Sequence, residues 1–177
     1  WTSAADARPW FDEQGPTPAA RQALALLSGA AADGLEARDY GVDQWQQSID
    51  MAGGGATWTE DTVARLDDAL NTATRRYLAD LHFGRVDPQA LGAKYTPNAA
   101  GDFDPDALLS AALADDRLAD AARSAAPRWP QYDRLRKSLA DYRELAGHPA
   151  WQQELPPLPA GRLAPGTIPT YYSHLKT

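Results

Sequence analysis

The chain has 177 residues, of which 44% are hydrophobic and 23% charged, as in ordinary globular domains, so wholesale disorder is excluded. Its formal net charge is −7, from 24 acidic and 17 basic residues. This balance argues against a nucleic-acid partner and against membrane contact by this segment, since both would need clustered Lys and Arg. The chain contains no cysteine, which excludes disulfides, Cys-ligated zinc, iron–sulfur clusters and a cysteine nucleophile within it.

No stretch approaches the 18 continuous apolar residues that a membrane span would need. The chain begins at Trp1 rather than at a methionine, and it begins without the basic and apolar regions of a signal peptide. We therefore expect it to be a segment of a longer polypeptide.

Helix-forming residues dominate the composition, because Ala, Leu, Arg and Gln are common and β-branched residues are scarce. No window of alternating Val, Ile and Thr indicates a convincing strand. Start signals (Ser, Thr or Asp before Pro) and stop signals (Gly or Pro) divide the chain into helical segments. In chain order the predicted helices cover residues 18–32, 42–51, 60–83, 105–113, 116–126 and 130–146, with a turn or short helix at 39–41 and a turn at 87–92.

Two of these helices carry regular apolar stripes. On the helix that ends at Gly84, apolar residues recur at steps of 3 or 4, at Val63, Leu66, Leu70, Ala73, Tyr77 and Leu81. On the last long helix they recur at Tyr132, Leu135, Leu139, Tyr142 and Ala146. Tyrosines on such faces pack into a core more often than they bind ligands, so we expect Tyr77, Tyr132 and Tyr142 to be core residues.

Proline and glycine become frequent after Trp151, as in the stretch 155–161. This composition is typical of a stiff connector. The sequence therefore predicts an all-α fold, with one helical domain of about six to eight helices over residues 1–153 and a proline-rich linker over 154–177.

The residues that could carry chemistry form no recognised catalytic pattern. His82, His148 and His174 are not spaced as zinc ligands, and His82 suits a helix end, where it can bond a terminal carbonyl. Asp104 fits a helix cap better than a calcium loop, because the twelfth position of that loop would be Leu113. The pairs 67–68 and 115–116 are predicted to be solvated carboxylates, since neighbours on a helix point apart.

Aromatic residues at helix boundaries are the remaining candidates. Trp10, Trp58, Trp129 and Trp151 occupy such positions, where they can staple helices together or form a surface patch. Trp58 and Trp129 are therefore candidate interaction residues.

Segments spread along most of the chain resemble, in order, the scaffold domain of the large bacterial L,D-transpeptidases of the YcbB type. The most specific are the string Gly84-Arg85-Val86-Asp87-Pro88 and the Pro-x-x-Pro-x-Tyr-x-x-Leu-Arg stretch from Pro127. The other matching segments are Trp10-Phe11 with Gly15-Pro16-Thr17, Gly34-Leu35, Asp39-Tyr40-Gly41, Leu66-Asp67, Tyr77-Leu78, Asp80-Leu81-His82-Phe83, Leu108-Leu109, Leu139-Ala140, Tyr142-Arg143, Leu158-Pro159-Ala160-Gly161 and Pro165-Gly166.

The resemblance implies a helical, non-catalytic support in the periplasm. In such enzymes a separate domain carries a Ser/Thr-His-Gly-Cys motif, whose thiolate takes an acyl group from one peptidoglycan stem peptide and passes it to an amine of another. This chain lacks that motif, so no catalytic residue is assigned, and we expect no cofactor and no metal. The implied partners are the catalytic domain of the parent enzyme and, as further candidates, other wall-synthesis proteins or peptidoglycan. Arg85 is a candidate contact residue, or else pairs with a buried acid or a helix end.

Three hypotheses follow from the sequence. The first is an interaction protein, the scaffold of a periplasmic L,D-transpeptidase. The alternative is a glycan- or peptidoglycan-binding module that uses exposed Trp residues. The third is an independent helical hydrolase, which would have to present two carboxylates in one cleft.

Overall fold

Capping residues set the bounds of the helices in the computed structural model, which describes residues 9–12, 14–53, 59–94 and 103–152. The Thr17 side chain accepts the N–H of Ala20, and Thr59 likewise accepts that of Thr62. Asp104 accepts two N–H groups, from Asp106 at 2.9 Å and Ala107 at 3.1 Å, which confirms it as a helix cap. Six α-helices result: α1 Pro18–Ser28, α2 Val42–Gly53, α3 Glu60–Phe83, α4 Pro105–Ala114, α5 Leu118–Ala125 and α6 Pro130–Ala146.

Three 3-10 helices complete the helical structure of the described residues: Gly29–Asp33, Ala37–Tyr40 and Pro149–Gln152. The first continues α1 in a tighter form up to Gly34, whose φ of 77° ends it. The predicted all-α class and the predicted helix count are confirmed. The predicted linker 154–177 lies outside the described residues.

One feature of the N-terminal segment was not predicted. Phe11–Asp12 (β1) and Gly15–Pro16 (β2) pair as an antiparallel hairpin, with Phe11 opposite Pro16 and Asp12 opposite Gly15. Strands of two residues are too short for apolar alternation to reveal them. Gly15 has a φ of 117°, which a residue with a Cβ rarely adopts.

The chain divides into two compact units, Trp1–Lys137 and Ser138–Thr177. In the first, α3 is the central helix and contacts α1, α4 and α5, while α5 also contacts α1 and α4. Small side chains at these contacts let the helices approach closely: Ala20, Ala23, Ala112, Ala121, Ala122 and Ala125 are all buried. The larger core residues are Trp10, Phe11, Leu27, Leu70, Leu78 and Leu118.

The N-terminal segment is fixed to α3 by Asp67. Its Oδ1 accepts the backbone N–H of Trp10 at 2.8 Å and that of Phe11 at 3.1 Å. The Trp10 indole N–H donates to Asn71 at 3.3 Å. The prediction that Asp67 is a solvated carboxylate is therefore wrong, because the segment that covers it comes from a distant part of the chain; Asp68 is exposed, as expected.

Among the described residues, no helix combines the length and the apolar character that crossing a bilayer requires.

Candidate docking surface

Arg85 follows the end of α3 and forms an ion pair. Its Nη1 lies 2.5 Å from Oδ2 of Asp39, in the 3-10 helix Ala37–Tyr40. That carboxylate oxygen is shielded from water, so the guanidinium is the charge that compensates it. Arg85 therefore has a structural task; its predicted contact with another domain stays a prediction.

The loop after α3 is ordered by hydrogen bonds. The Asp87 side chain accepts the N–H of Gln89 at 2.9 Å, and the Pro88 carbonyl accepts that of Ala93 at 2.9 Å. The turn predicted between Asp87 and Gly92 is thereby confirmed. It holds two aliphatic side chains in solvent, since Val86 is 59% and Leu91 75% exposed.

His82, near the end of α3, contacts the last residue of α5 and the segment just before α4. Its Nδ1 lies 3.3 Å from the carbonyl oxygen of Ala125, the last residue of α5. Its ring stacks on Phe103, just before α4, with centroids 3.9 Å apart, and meets Phe83 edge-on at 4.8 Å. His82 was expected to interact with the end of its own helix; the terminal carbonyl beside it belongs to α5 instead.

Of the two candidate interaction tryptophans, the structure describes only Trp129. Trp129 lies between α5 and α6, is 68% exposed, and its carbonyl accepts the N–H of Tyr132 at 2.9 Å. Trp58 lies outside the described residues. The interaction roles of Trp58 and Trp129 stay predictions.

Asp33 attaches the first turns of α6 to the first unit. The Tyr132 hydroxyl donates to its Oδ1 at 2.8 Å, and Arg136 Nε lies 2.7 Å from the same atom. The Tyr77 hydroxyl of α3 donates to Oδ2 at 3.4 Å. Arg136 also donates to the carbonyl of Ala32 at 3.3 Å. One carboxylate, 13% exposed, thus joins α1's 3-10 extension, α3 and α6.

A second carboxylate makes a similar cluster. Asp80, 15% exposed, accepts the Tyr40 hydroxyl at 2.8 Å and lies 3.7 Å from Arg76 Nε. The Tyr40 and Tyr77 rings meet edge-on at 5.5 Å, so the two clusters are adjacent.

Burial raises the pKa of all three tyrosine hydroxyls in these clusters. It raises the pKa of Tyr77 to about 12, with the charge of Asp33 adding to the effect. Burial followed by the hydrogen bond to Asp80 raises the pKa of Tyr40, and burial followed by the bond to Asp33 raises that of Tyr132. Tyrosine hydroxyls are donors at neutral pH in any case, and the raised pKa values extend this into alkaline solution, so both carboxylates are held as acceptors of these bonds.

The apolar stripe of α6 is largely uncovered. No residue of this helix is buried, and Leu135 is 68%, Tyr142 72% and Leu145 50% exposed. The expectation of a core role is confirmed for Tyr77, which is 3% exposed, and wrong for Tyr142. Tyr132 is half-buried. Periodicity predicts that a helix has an apolar face, but not which segment covers it.

The end of α6 is closed by residues that follow it. The Leu145 carbonyl accepts the N–H of His148 at 2.9 Å and the indole N–H of Trp151 at 2.6 Å. Trp151 therefore caps the helix with its polar atom while the residue stays 71% exposed.

The described residues hold no group of three His, Asp or Glu side chains that could bind a metal ion. Sequence reasoning did not single out Asp33 and included Asp80 only as part of a family-like string, because only the fold brings Tyr132 and Tyr40 to these carboxylates. The described residues thus form an all-α structure in which the shielded carboxylates Asp33 and Asp80 hold helices together. Its exposed large apolar side chains lie at the end of α3 and in the loop after it, on α6, and at Trp129 and Trp151 on either side of α6.

The chain was compared with models of known protein families, and one of them matches most of it. Residues 3–139 match the model described as the Scaffold domain. The chain therefore belongs to the Scaffold domain family, and the resemblance found in the sequence is confirmed. No curated protein matches the chain, and no solved structure does.

Proposed function

We propose that this chain is the non-catalytic scaffold of a bacterial L,D-transpeptidase, and that it supports or positions the catalytic domain during peptidoglycan cross-linking. The observation that carries the proposal is the family match over residues 3–139, which contains both of the most specific segments of the resemblance. Membership of this family supports a scaffold role in general. The transpeptidase assignment is inferred from the resemblance.

The chemistry of the chain agrees with a supporting role. Acyl transfer through a thioester needs a thiolate, and the chain has no cysteine. The hydrolase hypothesis needs two carboxylates that share a cleft, whereas Asp33 and Asp80 each hold a tyrosine and an arginine. The parent protein would therefore supply its nucleophile from a separate domain.

The proposal is tested with the matching catalytic domain. We expect the scaffold to bind it in a pull-down, or when the two are tethered, and cross-linking of muropeptides to fall when the scaffold is deleted. No association even in the tethered form, together with unchanged cross-linking, would contradict the proposal. Asp68→Ala, at an exposed position on α3, is the matched control that should change neither result.

A second candidate function, glycan binding, is favoured by the exposure of Trp129. Aromatic rings can stack on sugar rings, and a tryptophan 68% exposed has its ring accessible. Sedimentation with purified sacculi tests this function. Retention weakened by Trp129→Ala or Trp58→Ala but not by Leu91→Ala, at a comparably exposed aliphatic, would favour it; no retention by wild-type protein would remove it.

The periplasm is the compartment in which the proposed reaction takes place. We therefore propose that the parent protein is periplasmic, secreted or anchored to the inner membrane. Digestion of the tagged parent by protease added to spheroplasts would support this location, and protection until the cells are lysed would contradict it.

A further inference from the structure

Two acidic residues on consecutive 3-10 helices each hold a different element of the first unit. Asp33, on the 3-10 helix that follows α1, accepts the Tyr132 hydroxyl at 2.8 Å and lies 2.7 Å from Arg136 Nε, both on α6. Asp39, on the next 3-10 helix, lies 2.5 Å from Arg85 Nη1 in the loop after α3. The two acidic side chains are only 13% and 22% exposed. The start of α6 and the loop after α3 are therefore both attached to one short stretch of chain.

The two 3-10 helices are connected to each other by contacts and by hydrogen bonds. They touch, and Gly34, which lies between them, donates its N–H to the carbonyl of Ala31 at 3.0 Å. Leu35 donates to the carbonyl of Ala30 at 3.2 Å and is buried. Because these bonds hold the connection, a displacement of the second 3-10 helix is passed to the first, which ends at Asp33.

Two buried tyrosines make a second connection between the same carboxylates. Tyr40 follows Asp39 directly, and its hydroxyl donates to Asp80 on α3 at 2.8 Å. Its ring meets that of Tyr77 edge-on at 5.5 Å, and the Tyr77 hydroxyl donates to Asp33 at 3.4 Å. Both rings are buried, and a close-packed interior transmits displacements. A shift of the second 3-10 helix therefore reaches Asp33 through the core as well as along the chain.

The start of α6 is the element that can respond to such a shift. The helix belongs to the first unit up to Lys137 and has no buried residue. Its first turns are held by the contacts of Tyr132 and Arg136 with Asp33, and by the bond from Arg136 to the carbonyl of Ala32. A segment with few buried apolar contacts opens locally at a small cost in free energy. A modest change at Asp33 is therefore enough to shift the balance between attached and detached states.

We propose that the two 3-10 helices couple the loop after α3 to the attachment of α6, so that loss of the ion pair between Arg85 and Asp39 loosens the start of α6. Without the guanidinium, the shielded Oδ2 of Asp39 is uncompensated, and the carboxylate gains by moving toward water together with its 3-10 helix. An acidic group of a partner that drew Arg85 away would have the same effect. The inference goes beyond the proposed function and holds whatever the partner is.

Hydrogen exchange of the full chain, read by mass spectrometry, measures the coupling. Arg85→Ala should raise the exchange rate within residues 131–137 at least about fivefold, while α5 keeps its rate. Arg75→Ala is the matched control, because Arg75 is 47% exposed against 45% for Arg85 and pairs on α3 with Asp106, outside the proposed connection. It should leave residues 131–137 within about twofold of wild type.

Two further variants test the route of the coupling. Asp39→Asn replaces the carboxylate by a neutral amide that needs no compensating charge, so Arg85→Ala added to it should change exchange in residues 131–137 by less than about twofold. Coupling is also reciprocal. Tyr132→Phe, which removes a bond to Asp33, should therefore raise exchange in residues 37–41, where Asp39 and Gly41 donate their N–H groups within the 3-10 helix and at its end.

Unchanged exchange of residues 131–137 in Arg85→Ala would overturn the proposal. An equal rise in α5 would overturn it too, since it would mean a general loss of stability. A full effect of Arg85→Ala in the Asp39→Asn background would show that the effect bypasses Asp39, with the same consequence. If Arg85→Ala does not fold, Tyr132→Phe decides the question from the other end, and unchanged exchange in residues 37–41 would refute the coupling.

Discussion

The hydroxyl of Tyr132 donates to Asp33 at 2.8 Å across 99 residues of sequence. Together with Arg136 on the same oxygen, this bond anchors the beginning of α6, which has no buried residue. A helix without buried side chains gains little from the hydrophobic effect, so its position depends on such polar contacts. Asp33 therefore determines how the first turns of α6, up to Arg136, are held in the first unit.

Asp33→Ala should release the start of α6. The hydroxyls of Tyr77 and Tyr132 and the guanidinium of Arg136 would lose their common acceptor, at a cost of about 1–3 kcal/mol in the free energy of unfolding. Hydrogen exchange should rise within residues 130–137, and urea unfolding would measure the cost. Asp133→Ala, at an exposed position on α6, is the control. Equal exchange in the two variants would contradict this role.

Stability should fall in strongly alkaline solution because of Tyr77. Its pKa is raised from the ordinary 10 to about 12 by burial, so folding favours the neutral phenol. This contribution is fully present below pH 10 and is lost as the pH rises to about 12, by about 2 kcal/mol. Urea unfolding at pH 8, 10 and 11.5 measures the loss. Burial also raises the pKa of Tyr40 and Tyr132, so Tyr77→Phe should reduce the pH dependence without abolishing it, and an unchanged slope would show that the other groups cause all of it.

Asp67→Ala should loosen the N-terminal segment, because the N–H groups of Trp10 and Phe11 both donate to this carboxylate. We expect unfolding to become easier by about 2–3 kcal/mol. Its neighbour Asp68 is exposed, so Asp68→Ala should change stability by no more than about 0.5 kcal/mol. Chemical denaturation compares the two. Similar losses would mean that Asp67 is not the anchor.

Arg85→Ala should lower the free energy of unfolding, because it leaves the carboxylate of Asp39 without its compensating charge. Asp39 Oδ2 is shielded from water and Arg85 is its partner, but the arginine is 45% exposed, so we expect a loss of about 1–2 kcal/mol. Arg38→Ala is the control, because Arg38 is 76% exposed and 3.9 Å from Glu36. A double-mutant cycle with Asp39→Ala isolates the pair, and a coupling energy of zero would refute it.

Gly84→Ala should destabilise the chain because of its backbone. Gly84 ends α3 with a φ of 79° and a ψ of 154°, which side-chain-bearing residues rarely adopt, so the cost is about 1–3 kcal/mol although no atom blocks a Cβ. Gly29 is equally open but has a φ of −80°, and Gly29→Ala should stabilise by about 0.4–1 kcal/mol. Thermal unfolding compares them. The same sign for both would contradict the argument.

The helix bounds were predictable because the signals that set them are local. Thr59 and Gly84 delimit α3 as the sequence indicates, and Asp104 with Pro105 begins α4. Capping depends on residues within a few positions of the helix end, which a linear sequence contains in full.

What the sequence did not predict depends on distant partners. Asp67 has the appearance of a solvated acid until Trp10, 57 residues away, covers it. The stripe of α6 has the same spacing as that of α3, yet Tyr77 is buried and Tyr142 is not. Periodicity gives the face of a helix, and only the tertiary arrangement decides whether that face is covered.

The contacts of Trp10 and Arg136 limit how far the domain can be shortened from either end. A polypeptide that started after Trp10 would lose the indole N–H that donates to Asn71 and one of the two backbone N–H groups that donate to Asp67. One that stopped before Arg136 would remove a cation from Asp33. Any excised or transplanted version of the domain therefore has to keep both residues. Helices α1 to α5 all lie between them, so keeping these five helices alone is not enough.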